Sequence, residues 1–137
     1  MTLQGLTYHH TDDNHMIRVI DNIAKGITYS QFRSFADGLS FSMADWSSFL
    51  HLSERSFQRY EKEDRSFDIL QSQQIVEIVL LFSHGNEIFD TEEDFIFWLG
   101  QKNLALGNIT PKELMSTSFG INMIHDLLTR IEHGVLA

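Results

Sequence analysis

Apolar residues in this chain recur at spacings of three and four and almost nowhere at two. Ile121, Ile124, Leu128 and Ile131 are the clearest case, three, four and three apart, which lines them up on one face of a helix. Strict alternation of the strand kind is absent, apart from a short ambiguous stretch near Leu3 to Tyr8. The residues that start and stop helices agree with the spacing. Asp13 or Asn14 caps a first helix carrying Ile17, Ile20, Ile23 and Ala24, which Gly26 ends. Ser30 opens a second with Phe32, Phe35 and Ala36 inside and Gly38 as its stop, and Ser42 opens a third through Trp46, Phe49 and Leu50. Ser53 caps a fourth through Phe57 and Tyr60. A longer, more buried helix is expected over about 72–83, stopped at Gly85. Thr91-Glu92-Glu93-Asp94 places acids where a helix dipole favours them, ahead of Phe95, Ile96, Trp98 and Leu99. Thr110-Pro111-Lys112-Glu113 is a capping box with proline at the first helical position, and Gly134 ends the last helix. The pattern predicts an all-α fold.

With 137 residues, 42% hydrophobic and 21% charged, the chain suits one compact domain or two small halves sharing a core. The absence of cysteine removes disulfides and thiolate zinc sites, which fits a reducing compartment. The opening MTLQGLTYHH has neither a basic region nor an apolar one of the kind that begins a secretory signal. The longest apolar run, from Ile75 to Phe82 with Glu77 inside it, is far short of a membrane span. A cytoplasmic protein that does not engage a membrane is expected.

Charge is uneven. Residues 1–70 hold seven Lys/Arg against ten Asp/Glu, a balance of −3, and residues 71–137 hold three against nine, a balance of −6. Affinity for a phosphate backbone rises with the number of cationic contacts, so any binding to DNA must come from a local basic patch, doubled by dimerisation. The acidic second half suits a basic protein partner, or serves only solubility.

The third and fourth helices have the offsets of a DNA-binding helix-turn-helix: Trp46, Leu50, Leu52, Phe57 and Tyr60 at the apolar positions, with small Ser47 where the helices approach. His51 stands at the turn position usually held by glycine. On a helical wheel Arg55, Arg59 and Lys62 lie opposite Phe57, with Gln58 and Ser56 on the flanks. Arginine can bind guanine in bidentate fashion, glutamine can read adenine, and Ser53 and Ser56 can hold phosphates near the helix N-terminus. Glu54, Glu61, Glu63 and Asp64 surround these cations, so a solvated face laced with ion pairs is the competing reading.

Chemistry finds no comparable foothold. His9, His10, Asp12, Asp13 and His15 cluster near the N-terminus, but metal ligands need fixed geometry and supporting partners, which a terminus does not supply. His51, His84, His125 and His133 are scattered, each within or just after a helix, as surface or capping histidines often are. No nucleophile motif, phosphate-binding glycine loop or paired carboxylate stands out. Neither an enzyme nor a bound cofactor or metal is expected.

The last forty residues carry the most specific signal. Trp98-Leu99, Asn103, Leu106-Gly107, Thr110-Pro111, Leu114, Thr117 and Gly120 lead into a helix ending Arg130-Ile131-Glu132-His133-Gly134-Val135. This ordered set resembles the toxin-binding domain of bacterial antitoxins of the Xre/MbcA/ParS type. The stretch Ser53-Glu54-Arg55-Ser56-Phe57-Gln58-Arg59 resembles the matching part of the same family, so the likeness covers roughly residues 30–137. It departs at Lys102, where the family tends to have proline, and at Asn108, which replaces a common glycine. The resemblance implies three regions: an N-terminal extension with one helix over 1–29, an Xre-like helix-turn-helix over 30–70, and a small helical toxin-binding domain over 71–137. It further implies a RES-domain toxin that consumes NAD⁺ as the partner, plugged at its active-site entrance by the antitoxin's C-terminal end. Carried over by position, the contacts are Arg130, Glu132, His133, Gly134, Val135, Leu136 and Ala137, with Asn103, Gly107 and Asn108 in the nearby loop. A homodimer that autoregulates its operon through operator DNA completes that expectation. The alternative is a stand-alone helix-turn-helix regulator with no toxin partner.

Overall fold

The computed structural model describes residues 3–8 and 12–134. Seven helices make up the described chain: α1 Asp13–Lys25, α2 Tyr29–Ala36, α3 Met43–Leu50, α4 Glu54–Glu63, α5 Ile69–Ile88, α6 Glu92–Leu99 and α7 Ser118–Glu132. Short 3-10 turns cover Leu3–Gly5, Leu104–Leu106 and Pro111–Leu114. Among the described residues the only β-type pairings are two isolated bridges, Thr28 with Ser66 and Asn103 with Ile109. The fold is all-α, and none of its described helices is long and apolar enough to cross a membrane.

Helix α5 is the axis, and α1, α3, α6 and α7 all pack on it. Its buried residues, among them Ile75, Ile78, Leu81 and Phe82, go all the way round its circumference, as expected of a helix enclosed by others. The helix is longer than its expected limits. Asp68 and Gln71 form a capping box that starts it at Ile69, and it continues through Gly85 to Ile88. Gly85 is an inner position of the helix, where a Cβ would collide with the ring of Phe95 from α6. Glycine inside a helix costs roughly 0.5–1 kcal/mol relative to alanine. Burying a Phe side chain gains about 1.5–3 kcal/mol, so the close approach wins and the helix does not stop.

Around α5 the N-terminal half is joined by aromatic edges. Phe32 of α2 meets Trp46 of α3 and Phe67 edge-on at 5.0 and 5.5 Å between centroids, and Phe57 of α4 at 5.7 Å. Such geometries suit the ring quadrupoles. The N-terminal residues that looked strand-like form the 3-10 turn, which buries Leu3 and Leu6. Helix α1 starts one residue early, capped by Asp12, and it turns a different face inward from the one expected. His15 and Val19 are buried and Ile23 half-buried, while Met16, Ile17 and Ile20 are exposed. Helix α2 likewise begins before Ser30, capped by Thr28 in a box with Gln31.

The Thr110–Glu113 capping box forms, but it starts only a single 3-10 turn. The carbonyls that would continue a helix are taken by tertiary contacts. Met115 O accepts from Gln74 Nε2 of α5 at 2.7 Å, and Ser116 O accepts from the His51 ring at 2.7 Å. Thr117 then caps α7, whose Gly120 sits so tightly under Leu114 that a Cβ there would collide with the Leu114 carbonyl. Two of the scattered histidines meet at the α5–α7 contact. His84 and His125 are buried with their Nδ1 atoms 2.8 Å apart, and Tyr8 stacks on both rings.

Candidate functional site

Two surfaces stand out, one on α4 and one at the C-terminal end. Helices α3 and α4 are separated by His51, Leu52 and Ser53. His51 takes the left-handed conformation (φ 53°, ψ 45°) that glycine usually fills, and Leu52 N closes the turn on Ser47 O at 3.1 Å. Histidine is among the residues that tolerate this region better than bulky or β-branched ones, and its ring bond to Ser116 O holds it there. The carbonyl can only accept, so Nε2 carries the proton.

On α4, Phe57 is buried against the core, while Arg55, Gln58, Arg59 and Lys62 are exposed. At 100° per residue the three cations lie within about 40° of the direction opposite Phe57. Three of the four surrounding acids are engaged elsewhere, Glu54 being the exception. Asp64 accepts from Ser30 N and Ser30 Oγ at 3.1 and 2.7 Å, Glu61 accepts from Tyr29 Oη at 3.4 Å, and Glu63 approaches Arg65 at 4.0 Å. Among the described residues Arg55, Arg59 and Lys62 take part in no ion pair; Arg59 lies 5.8 Å from the Tyr60 ring. Ser53 is committed to the cap. Its hydroxyl accepts from Ser56 N at 3.1 Å and donates to Ser56 Oγ at 2.9 Å, which leaves the Ser56 proton as the one able to reach a phosphate.

The C-terminal surface is built differently. Asn103 is buried, its side chain accepting from Ala105 N at 2.9 Å, and its backbone pairs with Ile109 and Asn108. It shapes the loop from inside, with most of its surface covered by the chain itself. Gly107 (φ 77°) and Asn108 (φ 70°) are consecutive left-handed residues, so position 108 favours glycine and accepts asparagine as a tolerant substitute. The loop lifts Leu104 into solvent at 89% exposure. On α7, Arg130, Glu132, His133 and Gly134 are all exposed, and Gly134 (φ 75°) follows the C-cap. Val135, Leu136 and Ala137 lie outside the described residues.

Residues that the sequence reasoning passed over complete this surface. Phe119 is 87% exposed and Met123 46% exposed, both off the Ile121–Ile124–Leu128 stripe that faces the core. A wheel drawn from that stripe puts two large apolar residues on the outside, and that was the signal available.

Residues 84–134 match the family model of the antitoxin Xre/MbcA/ParS C-terminal toxin-binding domain. This segment is similar to that family's domain. Relatives extend the likeness towards the N-terminus. An antitoxin Xre of Photorhabdus laumondii is 29% identical over 84 residues, 61% of this chain and 57% of that protein. An antitoxin Xre of Yersinia enterocolitica is 25% identical over 120 residues, 87% of this chain and 81% of that one. The matched segment holds the last turn of α5, all of α6 and α7, and the loop that raises Leu104. It contains Phe119 and Met123 as well as Arg130, Glu132, His133 and Gly134.

Proposed function

We propose that this protein is the antitoxin of a type II toxin–antitoxin pair, acting by occupying its partner and not by catalysis. The family match of residues 84–134 carries the reading. The partner it favours is a RES-domain toxin that consumes NAD⁺, the usual counterpart of this family. A pocket for an anionic dinucleotide must contain basic groups, and Glu132 at the acidic C-terminal end is suited to pair with them. By resemblance, Val135, Leu136 and Ala137 and the loop residues Asn103, Gly107 and Asn108 share in the same contact. Co-expression with the RES-domain toxin encoded beside it should preserve growth and cellular NAD⁺. Equal collapse of both with and without this chain would sink the reading.

The α3–α4 unit acts as a helix-turn-helix that reads operator DNA and so sets the pair's own expression. The unpaired Arg55, Arg59 and Lys62, with Gln58 and Ser56 beside them, support it, because Asp64, Glu61 and Glu63 are held by Ser30, Tyr29 and Arg65. Half-sites on operators are read by two-fold dimers, and the exposed Met16, Ile17 and Ile20 of α1 offer an apolar strip for a second copy. Light scattering should read two copies of the isolated chain; a monomer at tens of micromolar would remove this part.

A further inference from the structure

We propose that the toxin docks along the outer face of α7, with Phe119 and Met123 as its apolar anchors and Arg130 at the far end. The inference rests on the toxin-binding reading above and names the surface that does the binding. Relative to Phe119, residues Met123, Asp126 and Arg130 fall within about 40° at 100° per residue. They form one line about 16 Å long on a helix whose opposite side, Ile121, Ile124 and Leu128, is buried. His133, the C-cap, continues the line, so the strip runs into the exposed Glu132, His133 and Gly134 proposed above as contacts.

A phenylalanine 87% exposed leaves nearly all of its apolar surface to water, and nothing within the fold gains from that placement. The helix is held firmly under it. Thr117 caps α7, Gly120 wedges against Leu114, and the Ser118 hydroxyl donates to Glu77 of α5 at 2.7 Å. An aromatic side chain on a rigid element is the form that binding hot spots take, because little ordering remains to be done on association.

Charge separates the possible occupants. The strip carries Arg130 against Asp126, in a half of the chain with a balance of −6, so nucleic acid is disfavoured. A second copy packed antiparallel about the strip's midpoint would set Met123 of each helix against Asp126 of the other, burying a carboxylate on an apolar partner. A toxin with an apolar pocket bordered by a cationic and then an anionic group meets the strip in order: Phe119 and Met123, then Asp126, then Arg130.

The test uses the full chain and the toxin encoded beside it, made as an inactive variant. Phe119→Asp with Met123→Asp should weaken toxin binding by about 30-fold or more in a titration, with the thermal melt of the isolated chain unchanged. Wild-type chain that fails to bind the toxin overturns the function proposed above. Wild-type binding matched by the double variant overturns only the α7 surface. A photo-crosslinking residue at position 119 covers the case in which the double variant does not fold. A crosslink to toxin is expected, and crosslinks only between copies of this chain would show that the strip pairs antitoxins.

Discussion

Helices α4 and α7 each bury one face in the same core and present the other to solvent, yet the outward faces have opposite chemistry. On α4 everything outward is polar or cationic, and the one deeply buried residue is Phe57. On α7 the buried side is broad, and the outward side still spends a phenylalanine and a methionine on water. A helix with a cationic outer face has a partner whose charge does the attracting, and binding to it falls steeply with salt. An apolar outer face gains by excluding water and is nearly indifferent to salt. The contrast teaches that one small core can carry two outward faces of opposite chemistry, provided each belongs to a different helix.

The comparison breaks most visibly if the two faces cannot be separated. Arg55→Ala with Arg59→Ala should cost operator binding roughly 1–3 kcal/mol for each arginine that touches a base, and should reduce the salt slope for each that touches a phosphate. Toxin binding should stay at the wild-type level. A gel shift and a toxin titration on the same preparation decide it. Unchanged affinity and salt dependence would mean that α4 presents only a solvated surface.

How far the sequence showed these faces follows from what each depends on. The cations of α4 were legible because a wheel needs only one buried residue, Phe57, to orient it. That the neighbouring acids are taken up was not legible, since Asp64 meets Ser30 and Glu61 meets Tyr29 across more than thirty residues of chain. The all-α fold was plain from spacing and caps, yet Gly85 was misread as a stop because its partner, Phe95, lies on the next helix. The wrong face of α1 was chosen for a related reason. Hydrophobicity alone favoured Ile17 and Ile20, whereas packing on α5 took His15 and Val19. At the C-terminal end Asn103 was picked correctly as a loop-former, but turn propensity does not say whether a side chain points in or out.

A smaller effect should touch both faces. Gly120→Ala drives a methyl into the Leu114 carbonyl, a backbone atom that cannot swing aside, so the stability of the whole chain should fall by about 1–3 kcal/mol. Since α5 and α7 share the core with α3, toxin binding and operator binding should decline together on warming. A melt equal to wild type would show that the turn over Pro111–Leu114 yields freely, and that α7 is not the rigid platform its role requires.

The smallest effect lies where the two regions meet. Lys112, in the 3-10 turn ahead of α7, sits 2.9 Å from Asp45 in the capping box of α3, next to the bond from His51 to Ser116. Burial pushes the Asp45 carboxyl up, but the hydrogen bond from Lys112, those from Ser42 and the lysine's charge together hold it below its ordinary value. A carboxylate whose folded-state value is depressed adds stability above its unfolded value and loses that contribution as pH falls through the folded one. The contribution should therefore be complete at neutral pH and disappear in strong acid. Asp45→Asn keeps an acceptor for Ser42 N and removes the charge together with the acceptor that faces Lys112, so it should cost roughly 0.2–1 kcal/mol at neutral pH, the range for a partly exposed pair. Melts of variant and wild type should converge as the pH drops below the ordinary carboxylate range, and high salt should narrow the gap at neutral pH. A gap that persists unchanged into acid would assign the loss to cap geometry, leaving the two halves joined by His51–Ser116 and the shared core without an electrostatic tie.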